Sequence, residues 1–148
     1  MATAEDVAAY ILEQGGEMTA MKLQKLVYYS QAWSLVWDER PLFRDKIKAW
    51  ENGPVIPSLY AKHVGRFNVD RTVIKGNPDA LTAEERETID AVLGFYGDKT
   101  AQWLSDLTHQ EKPWREARAK HPTTDNRASP EITHAAMAEY YGSLPPPR

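Results

Sequence analysis

Residues 19–37, TAMKLQKLVYYSQAWSLVW, decide the fold. Leu23, Leu26, Val27, Ser30, Trp33 and Trp37 fall on one arc at helical spacing, and Tyr29 and Val36 widen it. Thr19 is placed to cap this helix at its start, and Pro41 marks the loop after it. A helix that is apolar over so much of its circumference belongs at the centre of a core.

On its N-terminal side, residues 4–14 predict a short helix with Val7, Ala8, Ile11 and Leu12 on one face. Gly15-Gly16 ends it, because glycine accepts the left-handed conformation found past a helix end. On its C-terminal side, Lys46-Ile47-Lys48-Ala49-Trp50 alternates with a period of two and predicts a strand. Asn52-Gly53-Pro54 forces a turn, and Pro57 suits the first turn of a further helix. Arg71-Thr72-Val73-Ile74-Lys75 is a second candidate strand, expected to pair with the first.

Thr82-Ala83-Glu84-Glu85 is a capping box. It opens a helix with Ile89, Val92, Leu93 and Tyr96 along one stripe. Thr100 is placed to cap the next helix, Pro113 to start a short one, and Ser129-Pro130-Glu131 to open the last, which ends near Tyr141-Gly142. The expected architecture is mainly α, a compact single domain of six to seven helices with a small two-stranded sheet. The domain is expected to span residues 1–143, with a Pro-rich tail at residues 144–148.

A chain of 148 residues buries a full core without staples, and it has no cysteine to make one. That usage fits a reducing cytoplasm. An acidic start without a long apolar run argues against a secretory signal or a transmembrane helix. Residues 1–75 carry 10 basic and 9 acidic side chains and residues 76–148 carry 8 and 12, so neither half has the basic excess that drives nucleic-acid affinity.

Catalytic and metal motifs are absent. His63, His109, His121 and His134 form no i, i+4 pair, and no HExxH, P-loop, GxSxG or GxGxxG occurs. Neither a metal nor a cofactor is expected. Glu84-Glu85 and Asp38-Glu39 read as caps and solvated faces. Five tryptophans and seven tyrosines are the more telling feature, since both residue types concentrate in protein interfaces. Trp33, Trp50 and Trp103 are expected in the core. Trp37 and Trp114, at an element edge and after a proline, are the ones placed to reach a surface groove.

Three blocks carry a family resemblance. They are Met21–Trp33 with KLQKLVYY, then Pro41-Leu42-Phe43 followed by Lys48–Tyr60 with AWENGPVIPSLY, and then Leu104–Trp114 with LSDLTHQEKPW. In this order and spacing they resemble the Panacea domain, which includes the SocA-like antitoxins and phage-associated proteins. The resemblance implies a non-enzymatic antitoxin that binds a cognate toxin protein. In the SocA-like branch it implies an adaptor that presents the toxin to the ClpXP protease.

Candidate partner-binding residues are Lys22, Lys25, Tyr28, Trp37, Trp50, Asn52, Tyr60, His109 and Trp114. Lys22 and Lys25 are expected on the outer side of the central helix, facing an acidic toxin surface. Asn52-Gly53-Pro54 is expected to fix the placement of Trp50 and Val55, and His109 and Trp114 to line a groove. Two alternatives stand beside this reading. A DNA-binding regulator of its own operon would need a basic recognition helix, which the sequence lacks. An unrecognised hydrolase would need residues gathered only by the fold.

Overall fold

The structure is a computed structural model, and it describes residues 1–145. Residues 146–148, the end of the expected Pro-rich tail, lie outside the described residues. Among the described residues seven α-helices and five short strands follow one another in chain order. The helices are α1 (Ala4–Gly15), α2 (Ala20–Trp37), α3 (Pro57–His63), α4 (Ala83–Tyr96), α5 (Ala101–Gln110), α6 (Lys112–Lys120) and α7 (His134–Gly142). The strands are β1 (Met18–Thr19), β2 (Ile47–Trp50), β3 (Gly53–Val55), β4 (Asn68–Val69) and β5 (Glu131–Ile132). The fold is mainly α, as the periodicity predicts.

Hydroxyl caps set most helix starts. Thr19, Thr82 and Thr100 each accept from the third backbone amide of the following helix. Glu85 completes the capping box by accepting from the Thr82 amide at 2.8 Å. A second capping box joins Thr3 and Asp6 at the start of α1. Gly16, at φ 75°, ends that helix in the left-handed region.

Helix α2 is the axis of the molecule. Every residue from Leu23 to Ser34 is buried, and α1, α4, α5 and α7 all pack on it. Its aromatic side chains form one cluster with the later helices. Tyr29 stacks on Tyr96 with ring centroids 4.2 Å apart, and Trp33 donates its indole N–H to the Tyr96 hydroxyl at 3.1 Å. Buried Glu111 accepts from the hydroxyls of Tyr29 (2.7 Å) and Tyr141 (2.8 Å). Burial raises the Glu111 carboxyl above its usual range, and the two tyrosine hydrogen bonds pull it partly back.

The sheet differs from expectation. Strand β2 is present, but its partners are β3, across the tight turn, and β5, giving an antiparallel order β3–β2–β5. Residues 71–75 form no strand. The Asp70 carboxylate instead accepts from both the amide and the hydroxyl of Thr72, and the Asp70 carbonyl accepts from the amides of Val73 and Ile74. This side-chain capture winds the segment into a turn. Ser129 does not cap the last helix either. The Pro130 carbonyl accepts from the Ala49 amide at 2.9 Å, residues 131–132 join β2, and Thr133 caps α7 four residues later than expected.

Candidate functional site

The turn at Glu51-Asn52 projects the hairpin of β2 and β3 against α5 and α6. Three consecutive backbone carbonyls there are met by side chains from those helices. Trp114 donates its indole N–H to the Trp50 carbonyl at 2.7 Å. His109 Nε2 lies 3.2 Å from the Glu51 carbonyl, and Ser105 Oγ donates to the Asn52 carbonyl at 2.9 Å. The His109 and Trp114 rings meet edge to face, with centroids 4.1 Å apart. Trp114 and Ser105 thus donate to main-chain carbonyls of the hairpin, and the His109 ring lies between two more, with Nδ1 2.6 Å from the Ser105 carbonyl. His109 and Trp114 therefore hold the hairpin in place, where a groove lining was expected.

Behind the hairpin lies a cavity of about 320 Å³. Its walls include Lys25, Trp50, Asn52, Tyr60, His63 and Arg66. Four of the sequence-predicted residues, Lys25, Trp50, Asn52 and Tyr60, thus come together from α2, the hairpin and α3. Trp50 and Tyr60 meet edge to face at 4.9 Å. His63 is buried against Gln24, 3.0 Å from its side-chain amide nitrogen, and burial lowers its pKa.

Lys25 corrects the expectation for the central helix. It is 1% exposed, on the inner side, and it reaches the hairpin turn. A Cβ on Gly53 would sit 2.8 Å from Lys25 Cε and 3.3 Å from its Nζ. Gly53 has φ 123°, a conformation only glycine adopts without strain, and its bare Cα leaves the room that the lysine occupies. Among the described residues the ammonium forms no ion pair, and burial lowers its pKa from 10.5 to about 8.

The other predicted residues are dispersed. Lys22 lines a separate depression with Gln14, Glu17 and Asp90. Tyr28 is buried in the core with its hydroxyl 3.0 Å from that of Tyr141, so it offers a partner no surface. Trp37 is half-buried and stacks on Trp33 at 5.0 Å. Of the tryptophans expected in the core, Trp33 is buried, Trp50 is half-buried and Trp103 is 42% exposed. The Trp103 ring lies on the open face of α5, with the Lys99 ammonium 5.1 Å from its centroid.

Apart from Tyr60, the apolar rim was missed by the sequence reading. Met21, Tyr60, Val64 and Phe67 are exposed, and they belong to segments that line or border the cavity mouth. The Phe67 carbonyl accepts from the Ala20 amide at 2.8 Å, which brings this loop against the start of α2. Grouped exposed apolar side chains mark interaction surfaces more often than scattered ones do. Among the described residues no three metal-ligating side chains converge, and no helix is long and apolar enough to cross a membrane.

A family model described as antitoxin SocA-like, Panacea domain, matches residues 23–115. The matched span holds α2 from Leu23 onward, the hairpin, the cavity walls Lys25 to Arg66, and the clamping residues Ser105, His109 and Trp114. No curated protein and no solved structure matches the chain.

Proposed function

The chain belongs to the SocA-like antitoxin family with a Panacea domain, and from that premise we propose that it is the antitoxin of a bacterial toxin–antitoxin pair, neutralising its toxin by protein binding. The observation that carries this reading is the family match across 93 residues, 23–115, which takes in both the central helix and the hairpin clamp. The role is non-enzymatic and cytoplasmic. The toxin docks on the face around Met21, Tyr60, Val64 and Phe67, where aromatic and apolar side chains stand exposed. Interfaces draw most of their energy from a few such anchors. Delivery of the bound toxin to ClpXP is the fuller form of the same role, and it requires a second surface for the protease.

Affinity capture of the full chain from its own host, with ClpXP active and inactivated, tests both forms. One stoichiometric small partner in both samples supports direct neutralisation. A partner that accumulates only without the protease, alongside the unfoldase, supports the adaptor. Phe67→Asp, at an 80% exposed position, should weaken capture at least tenfold with the melting temperature unchanged. Failure to capture any protein in either sample would overturn the antitoxin reading.

A further inference from the structure

The cavity behind the hairpin has an unusual electrostatic make-up. Its lining includes two cationic side chains, Lys25 and Arg66, and no aspartate or glutamate. Lys25 is almost completely buried, yet its ammonium has no carboxylate partner among the described residues. A donor in the same walls is unsatisfied, for the buried indole Nε1 of Trp50 has no hydrogen-bond acceptor among the described residues. Buried charges are ordinarily paired and buried N–H groups ordinarily bonded. Two such exceptions in one cavity identify a place where an acceptor from outside the chain belongs.

We propose that this cavity is a binding site for a single carboxylate group, held by the Lys25 ammonium and the Trp50 indole N–H. The donor set selects the class of anion. Phosphate sites usually draw on free backbone amides at a helix start. At the start of α2 the Ala20 amide already donates to Phe67 O and the Lys22 amide to Thr19 Oγ1. With Arg66 exposed, the buried donors left in the lining are one ammonium and one indole N–H, groups of the kind that a carboxylate's two oxygens accept from. Met21, Val55 and Tyr60 supply apolar wall for the carbon chain that bears it. The site goes beyond toxin neutralisation and does not depend on it, since the carboxylate belongs either to a free small acid or to a polypeptide.

The test is a titration of the full 15N-labelled chain followed through its tryptophan indole resonances, with Trp50→Phe identifying the Trp50 signal. The probes are acetate, N-acetylglycine, N-acetylglycinamide and inorganic phosphate, all at constant ionic strength in chloride. The expected result is a saturable shift of the Trp50 indole signal with the two carboxylates and none with the amide. Lys25→Met should weaken that binding at least tenfold. If that variant does not fold, the wild-type contrast between acid and amide decides alone. Tighter binding of N-acetylglycine than of acetate supports a peptide carboxylate, and the reverse supports a free acid. No saturable shift, an equal shift with the amide, or tighter binding of phosphate would overturn the proposal. None of these results bears on toxin capture, which is measured separately.

Discussion

The indole N–H of Trp114 donates to the backbone carbonyl of Trp50 across 64 residues of chain, at 2.7 Å. The bond ties the first turn of α6 to the last residue of β2.

Trp114→Phe keeps an aromatic ring, smaller than the indole, and removes the donor. It should lower stability by about 1 kcal/mol, the net value of one hydrogen bond. Urea unfolding measures the loss. Amide exchange at Gly53 should quicken in the same variant, because the hairpin loses one of its three carbonyl ties. An unchanged urea midpoint would mean that water replaces the bond at no cost.

Gly53→Ala places a Cβ at φ 123° and 2.8 Å from Lys25 Cε. Backbone strain of this kind costs on the order of 1–3 kcal/mol. The thermal midpoint should fall accordingly, and the lysine must shift to make room. A variant as stable as the parent would show that the turn can adopt a second conformation.

Lys25→Met should stabilise the protein at pH 7. The folded pKa of Lys25 is about 8 against 10.5 for the free side chain, so below pH 8 the folded state bears the full cost of a buried charge. That gap corresponds to about 3 kcal/mol. Between pH 8 and 10.5 the folded lysine is neutral while the unfolded one still binds a proton, so wild-type stability rises with pH. The advantage of the variant should therefore shrink across that window. Urea midpoints of both proteins at pH 7, 9 and 10 test the sign, and an advantage that stays constant with pH would refute it.

Glu111→Gln tests the opposite case. Burial raises the Glu111 carboxyl, so its contribution is fully present below the ordinary carboxylate range and is lost as pH rises through the raised value. The wild type should lose stability relative to Glu111→Gln between about pH 4.5 and neutrality. Chemical denaturation at the two ends of that range is sufficient. A wild type that gains stability relative to the variant as pH rises would instead assign Glu111 a buried cationic partner.

The helices were legible because their signals are local. Thr19, Thr82 and Thr100 cap where a hydroxyl precedes an apolar stripe, and Gly16 ends α1. The sheet was not, because β3 is three residues long and contains Pro54, and β5 is two residues whose strand form depends on pairing with β2. No periodicity can register in so few positions. Lys25 was misplaced because a lysine ordinarily reads as solvated. A signal was nevertheless present. The apolar residues of α2 surround it on all sides, so a charge in its middle has no wet face to occupy. Lys25, Trp50, Asn52 and Tyr60 were each named from sequence, but their meeting in one cavity depends on how α2, the hairpin and α3 pack.

The contact between the hydroxyls of Tyr28 and Tyr141 joins positions 113 residues apart. During synthesis the central helix therefore leaves the ribosome long before its last packing partner exists. At roughly 5–20 residues per second, the interval is on the order of ten seconds. Over that time α2 keeps part of its aromatic surface uncovered, open to chaperones and to proteases. A nascent chain of this protein completes its core only once α7 has emerged, so the supply of folded protein is gated by completed translation rather than by initiation alone.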